Sequence, residues 1–146
     1  MRGSWGPGPE VEPLLSVIME PAFIDGLPND VLIVEDDPII ALDFEDTILG
    51  FGVRQIRTAA SVARALELIA DRAPDFALLD IGLVREKSFA IAERLDALKI
   101  PFVFVTGYGN VGLPAAFSSR PTLPKPCPTD RLQALLRRGP GVGTGG

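Results

Sequence analysis

Short apolar runs alternate with longer mixed segments along most of the chain, and this alternation predicts strands connected by helices. Three runs, at 31–34, 76–79 and 102–105, are continuously apolar, and the first consists of residues that favour an extended chain. A continuous apolar run of this length predicts a strand that is buried on both faces. A weaker strand is predicted at 53–58 and a short one at 121–123.

Four helices are predicted between and after these strands, at about 38–49, 61–71, 88–98 and 129–138. Pro38 suits the first turn of its helix, where the missing N–H would have no intrahelical partner. Ser61 is a suitable N-cap, because its hydroxyl can accept a bond from a free backbone N–H. Gly112 and Pro114 interrupt the segment 110–119, so we expect only a short or irregular helix there.

The two ends of the chain differ from this body in composition. Residues 1–29 are rich in proline and glycine and are predicted to form a mostly irregular leader, with a candidate helical turn at 14–18. Residues 139–146 are almost all glycine and proline and are predicted to be disordered. The remaining segment, 30–138, has the length of one domain.

Strands that alternate with helices imply an α/β fold, in which a doubly wound parallel sheet has helices on both faces. In such folds ligands bind where the strands end at their carboxyl side. The residues at these ends are polar: Glu35, Asp36 and Asp37 after the first strand, Asp80 after the third, Thr106 after the fourth and Lys125 after the fifth.

These side chains suggest a site for a metal ion and a phosphoryl group. Several carboxylates at one edge of a sheet repel each other unless a cation neutralises them. Carboxylate oxygens with room for water suit Mg²⁺. A hydroxyl and an ammonium beside the metal suit a phosphoryl group, whose negative charge must be dispersed.

The composition excludes several other kinds of site. The chain has no histidine and a single cysteine, Cys127, so it can form no Ser-His-Asp triad, His-ligated zinc site or internal disulfide. We expect Cys127 to be a packing residue. The net charge of −5 argues against a nucleic-acid partner, because phosphate contacts need clustered lysine and arginine.

No segment of the sequence is typical of a membrane protein or a secreted one. Prolines and glycines interrupt the longest uncharged stretch, and the N-terminus lacks a signal-peptide pattern. We therefore expect a cytoplasmic protein with no membrane partner.

Four motifs, taken in order, resemble the receiver domain of two-component response regulators. They are Val-Leu-Ile-Val-Glu-Asp-Asp at 31–37, Leu-Leu-Asp at 78–80, Thr-Gly at 106–107 and Lys-Pro at 125–126. The resemblance covers about 30–138 and implies a flavodoxin-like sheet of five strands in the order 2-1-3-4-5. The stretch 101–109 is also similar to the FATGUY receivers, with Val105 where that subgroup has alanine.

The resemblance implies a role for each acidic residue of these motifs. Asp80 would accept a phosphoryl group from the histidine of a partner kinase or of a phosphotransfer protein. Mg²⁺ would be bound by Asp80, by Asp36 directly, by Glu35 through water and by the backbone carbonyl of Gly82.

The remaining motif residues would contact the phosphoryl group. Thr106 and Lys125 would each bind one of its oxygens, and the Lys125–Pro126 peptide bond would be cis. Receivers usually carry an aromatic residue three positions before the lysine, where this chain has Thr122. That departure places the usual coupling between the threonine and the aromatic ring in question, and Tyr108 is a candidate substitute.

The implied function is a stand-alone phosphorylation switch rather than a turnover enzyme. Only about eight residues follow the last predicted helix, too few for an output domain. The switch would act by changing its binding surface toward a downstream protein. The alternative is a pseudo-receiver, a binding module with this fold that is not phosphorylated. A dehalogenase-type phosphatase is disfavoured, because Gly82 stands where that class needs its second acid.

Overall fold

The computed structural model describes residues 23–24, 26–83, 86–107, 113–117 and 119–138. Their strands are β1 (Phe23–Ile24), β2 (Leu27–Pro28), β3 (Asp30–Val34), β4 (Gln55–Ala59), β5 (Phe76–Asp80), β6 (Gly82–Leu83), β7 (Glu86–Lys87), β8 (Phe102–Thr106) and β9 (Thr122–Pro124). The helices are α1 (Pro38–Phe51), α2 (Val62–Asp71), α3 (Phe89–Ala97) and α4 (Thr129–Arg138), with a 3-10 turn at Ala115–Phe117.

Five of the strands form one parallel sheet in the spatial order β9-β8-β5-β3-β4. Numbered along the chain within this sheet, the order is 2-1-3-4-5, as the resemblance implied. The strands β1 and β2 form a separate antiparallel pair, and so do β6 and β7. The predicted fold class and strand order are therefore confirmed.

The sheet separates two hydrophobic layers because successive side chains of a strand point to opposite faces. Helices α2 and α3 and the 3-10 turn cover one face, and their core residues include Ala65, Ile69, Ile91, Leu95 and Phe117. Helices α1 and α4 cover the other face, with Phe44, Ile48, Leu132 and Leu136. Both faces of the central strands are buried, which explains their continuous apolar runs.

Helices α1 and α2 begin at residues that satisfy free backbone N–H groups. The Asp37 carboxylate accepts bonds from Ile39 N at 2.9 Å and Ile40 N at 3.3 Å. The Ser61 hydroxyl accepts a bond from Arg64 N at 3.1 Å, as predicted for an N-cap. Helix α1 ends at Phe51 and is capped by Gly52, whose φ of 110° favours a residue without a Cβ atom. The Asp37 cap starts α1 directly after the acidic residues that follow β3.

An ion-pair network closes the opposite, amino-terminal edge of the sheet. The buried Asp30 carboxylate accepts bonds from Arg57 Nε at 3.2 Å, Arg57 Nη2 at 3.0 Å and Arg72 Nε at 3.0 Å. Arg57 also donates to the backbone oxygens of Leu68 and Arg72. The network ties β3, β4 and the end of α2 together, far from the polar carboxyl edge.

The pair β1–β2 lies inside residues 1–29, for which the composition predicts an irregular leader, and it was not predicted. Leu27 of β2 is only 5% exposed and joins the core layer that α1 and α4 cover. The predicted short or irregular helix at 110–119 corresponds, in its described part, to the single 3-10 turn. The candidate turn at 14–18 and the predicted tail at 139–146 lie outside the described residues.

The helices of the described part of the chain are all too short or too polar to cross a lipid bilayer.

Candidate functional site

The carboxyl ends of four parallel strands bring the predicted residues to one edge of the sheet. Glu35 follows β3 directly, Asp80 ends β5, Thr106 ends β8 and Lys125 follows β9. Glu35, Asp80 and Thr106 are buried, and Lys125 is partly buried. The pairing of Asp80 with Val105 and of Pro124 with Thr106 sets the strand ends side by side.

Three carboxylates meet at this edge. Glu35, Asp36 and Asp80 each present an oxygen, and these oxygens all lie within 4.8 Å of one another. Like charges this close, two of them on buried residues, repel each other strongly unless a cation lies between them. Hard oxygen donors grouped in this way suit Mg²⁺, and the partly exposed Asp36 leaves room for water ligands. The residues therefore form a cluster that could hold a divalent cation.

The Lys125 side chain supplies a positive charge to two of these acids. Its Nζ lies 2.7 Å from Glu35 Oε1 and 3.0 Å from Asp80 Oδ2, and its side chain is 20% exposed. Its backbone N–H donates to the Thr106 carbonyl at 3.1 Å, and the Lys125–Pro126 peptide bond is cis, as the resemblance implied. Lys125 is thus fixed at both its backbone and its ammonium.

The protonation states of Glu35 and Lys125 follow from their burial and from their hydrogen bonds. Burial raises the pKa of Glu35 above its usual value, although the hydrogen bonds from Lys125 and from the Asp37 backbone oppose that rise. Burial alone would lower the pKa of Lys125, but its hydrogen bonds to Glu35 and Asp80 outweigh this effect and raise it. Lys125 is therefore a full ammonium at neutral pH.

Backbone N–H groups orient two of the carboxylates. The Asp37 N–H donates to Glu35 Oε2 at 3.1 Å, and the Gly82 N–H donates to Asp80 Oδ1 at 3.2 Å. Gly82 is exposed and pairs with Lys87 across β6 and β7. The role of its carbonyl as a metal ligand stays a prediction.

The surroundings of Thr106 depart from the expected switch pattern. Gly107 follows it, and a Cβ atom at that position would meet nothing within 4 Å, so the chain beside the threonine is open. Thr122, at the position of the usual aromatic residue, aligns with Phe104 and donates its hydroxyl to the Arg120 carbonyl at 3.3 Å. Tyr108 lies outside the described residues, and its substitute role stays a prediction.

Two features of the site were not predicted from the sequence. The first is the direct contact between Lys125 and Glu35, which lie 90 residues apart and share no local signal. The second is the bond from the Asp37 backbone N–H to Glu35. Asp37 caps α1 and holds Glu35 in place through its backbone.

Comparison with known proteins gives the same family as the motifs. A family model described as the response regulator receiver domain matches residues 31–137. The curated protein LytT of Enterococcus faecalis, a sensory transduction protein, is 32% identical over 112 residues, which cover 74% of this chain and 46% of LytT. PhyR of Methylorubrum extorquens, a phyllosphere-induced regulator, is 31% identical over 83 residues, or 55% of this chain and 31% of PhyR. The chain thus spans less than half the length of either relative.

Solved structures agree with this result. The solution structure of SdrG from Sphingomonas melonis superposes with a TM-score of 0.68 at 38% identity and covers 77% of this chain and 96% of SdrG. A second SdrG structure, described as a BeF3-activated conformation, gives a TM-score of 0.66 at 37% identity, with 78% of this chain and 99% of SdrG covered. Membership in the FATGUY subgroup stays a prediction. The match over most of the folded body shows that the chain belongs to the response regulator receiver domain family of two-component signalling.

Proposed function

We propose that this receiver accepts a phosphoryl group on Asp80, from a histidine kinase or a histidine phosphotransfer protein, in a reaction that depends on Mg²⁺. The observation that carries the proposal is the position of the Lys125 ammonium, 2.7 Å from Glu35 and 3.0 Å from Asp80. A lysine held against a strand-end acid is suited to bind a phosphoryl oxygen once the acid is phosphorylated.

The transfer is a direct displacement at phosphorus. An Asp80 carboxylate oxygen forms a new P–O bond while the P–N bond to the donor imidazole breaks. The imidazole nitrogen keeps the bonding electron pair and later takes a proton from water. Hydrolysis reverses the modification, because water attacks phosphorus, inorganic phosphate leaves and the Asp80 carboxylate is restored.

The acidic cluster supports the requirement for the metal. Glu35, Asp36, Asp80 and the Gly82 carbonyl would hold Mg²⁺, which supplies neutralisation of charge on the transferring phosphoryl oxygens. The backbone N–H groups of Asp37 and Gly82 orient Glu35 and Asp80 without adding negative charge.

Thr106 and Lys125 turn the modification into a conformational signal. Thr106 ends β8, which pairs with the strand that carries Asp80, and the Lys125 ammonium lies 3.0 Å from Asp80, so each can bind a different phosphoryl oxygen. These contacts exist only when the phosphoryl group is present, and they shift the population toward a form with a different binding surface. The chain thus acts as a switch that a downstream protein reads, not as a turnover enzyme.

Acetyl phosphate with Mg²⁺ tests the proposal directly. We expect the protein to gain one phosphoryl group, detected by a phosphate-affinity gel and intact mass, and we expect Asp80→Asn to gain none. Asp75→Asn is a matched control, because Asp75 precedes the same strand at its opposite end and its carboxylate accepts a backbone bond that asparagine can keep.

The outcomes separate the two candidate functions. Labelling of wild type and Asp75→Asn, but not of a folded Asp80→Asn, supports the phosphoacceptor assignment. Absence of labelling in wild type, with acetyl phosphate and with several histidine kinases, would favour the pseudo-receiver. Equal labelling of Asp80→Asn would show that another residue accepts the group.

A further inference from the structure

Four phenylalanine rings pack on the sheet face that carries Thr106. Phe102 and Phe104 come from β8, where they alternate onto the same side as Thr106. Phe117 of the 3-10 turn stacks on Phe89 of α3 with ring centroids 6.1 Å apart, and it meets Phe104 edge-on at 5.7 Å. The Phe117 ring therefore anchors the 3-10 turn against both the sheet and α3.

Arg120 fastens the segment that precedes β9, residues 119–121, from the solvent side. Its guanidinium carbon lies 5.1 Å from the Phe102 ring centroid and 6.0 Å from that of Phe117. Its Nη2 lies 2.8 Å from the Asp96 carboxylate on α3, and its backbone N–H donates to the Phe117 carbonyl at 3.0 Å. An arginine that combines stacking with an ion pair in this way holds three elements in one arrangement.

These contacts lie beside two parts of the site. Phe102 and Phe104 are in the same strand as Thr106, and the segment 119–121 leads through β9 into Lys125. Thr122 of β9 adds a bond from its hydroxyl to the Arg120 carbonyl. A movement of Thr106 or Lys125 toward a group on Asp80 therefore displaces β8, on which Phe117 packs, or the segment 119–121, which Arg120 holds against α3.

We propose that Asp96, Phe102, Phe117 and Arg120 form a latch that stabilises the unphosphorylated form of this receiver. The inference rests on the proposed function, because it assumes that a phosphoryl group on Asp80 draws Thr106 and Lys125 toward it. The latch favours the form without the ligand, so ligand binding and latch closure oppose each other. Because such coupling is reciprocal, weakening the latch strengthens ligand binding.

The test uses Mg²⁺ with beryllofluoride as the probe for the phosphorylated state. Asp96→Asn keeps the size of the side chain and removes its charge, and Arg120→Lys keeps a charge but loses the planar group that lies over the rings. The control is Arg64→Gln, which removes an exposed ion pair with Glu67 on α2, away from the segment. The apparent dissociation constant is measured by NMR titration, and the melting temperature without ligand is measured in parallel.

We expect Asp96→Asn and Arg120→Lys to bind beryllofluoride about two- to fivefold more tightly than wild type, a shift of the size that one exposed ion pair supplies. Arg64→Gln should bind like wild type. A lowered melting temperature with unchanged affinity would show that the latch residues are only structural and would overturn the inference. Weaker binding would also overturn it, because the latch would then belong to the ligand-bound form.

The wild-type titration separates this inference from the function on which it rests. Binding by wild type supports the phosphoryl site whatever the variants do. Absence of binding by wild type overturns both the proposed function and the latch.

Discussion

The Lys125 ammonium lies 2.7 Å from a carboxylate oxygen of Glu35, a residue 90 positions earlier in the chain. The same ammonium contacts Asp80 at 3.0 Å. One lysine therefore compensates two of the three carboxylates that converge at the carboxyl edge of the sheet. Since a divalent cation would be held by the same carboxylates, Lys125 and a metal ion partly share one task, which is to offset the repulsion among these acids.

This sharing predicts the behaviour of Lys125→Met. Without the ammonium, Glu35, Asp36 and Asp80 lie close together with less compensation, so the variant should melt at a lower temperature when no metal is present. Millimolar Mg²⁺ should raise its melting temperature by more than it raises that of wild type, because the metal relieves a larger repulsion. Differential scanning calorimetry with and without Mg²⁺ measures both effects.

Lys99→Met is the control for this experiment, because Lys99 is exposed and lies outside the cluster. It should respond to Mg²⁺ like wild type. An equal Mg²⁺ response in Lys125→Met and wild type would contradict the idea that lysine and metal compensate the same charges.

A second prediction concerns the exposed apolar side chains of α1. Ile39 is 78% exposed and lies two residues after Asp37, whereas Leu49 is 51% exposed near the other end of the helix. A phosphodonor protein must bring its histidine to Asp80, so it has to cover the surface near Ile39. Ile39→Lys should therefore slow phosphotransfer from a histidine kinase by about fivefold or more, the size typical of a buried interface anchor.

Two controls make this prediction specific. Labelling by acetyl phosphate should be unchanged in Ile39→Lys, because a small donor needs no docking surface. Leu49→Lys makes the same chemical change about 15 Å further along the helix and should retain kinase transfer. Equal loss in both variants, or loss with acetyl phosphate, would show a defect of the fold or of the site.

Local sequence signals were enough to predict the sheet and the position of its acidic edge. Asp80 and Glu35 could be placed together because parallel strands present their carboxyl ends at the same edge, whatever the loops between them do. The contact between Lys125 and Glu35 could not be predicted, because it depends on the packing of side chains that are distant in sequence. The pair β1–β2 was missed for another reason: two residues per strand are too few to show a periodic pattern.

The partly buried thiol of Cys127 gives a prediction about pH. Burial raises the pKa of Cys127 to about 11, only partly opposed by the charges of Lys125 and Arg131. The thiolate is the reactive form, so alkylation of the folded protein at pH 8 should be at least about tenfold slower than that of an unfolded control in urea. The rate should rise about tenfold for each pH unit until the pH approaches 11.

The same shift has a consequence for stability. The folded state binds this proton more tightly than the unfolded chain, whose thiol has the ordinary pKa of 9.0. The contribution of Cys127 to stability is therefore complete below pH 9 and is lost as the pH rises toward 11.

The alkylation rates of Cys127 are measured by mass spectrometry after timed treatment with iodoacetamide. Equal alkylation rates for folded and unfolded protein at pH 8 would refute the prediction.

The amino-terminal edge of the sheet predicts a large stability effect far from the site. The Asp30 side chain is 6% exposed and pairs with Arg57, whose side chain is 12% exposed, and with Arg72. Arg57→Met keeps the aliphatic stem but removes every donor, which leaves Asp30 with only the more exposed Arg72. Urea unfolding should show a loss of about 2–4 kcal/mol, toward the lower part of the range for a broken buried pair, because Arg72 remains.

A double-mutant cycle identifies the cause of that loss. Asp30→Asn removes the buried charge that Arg57→Met leaves uncompensated, so the double variant should be less destabilised than the sum of the two single variants. Arg64→Met is the exposed control, since Arg64 and Glu67 are 59% and 67% exposed and their pair should contribute less than about 1 kcal/mol. Strict additivity of the two single variants would mean that Arg57 stabilises the sheet edge through its bonds to the Leu68 and Arg72 carbonyls and not through the charge of Asp30.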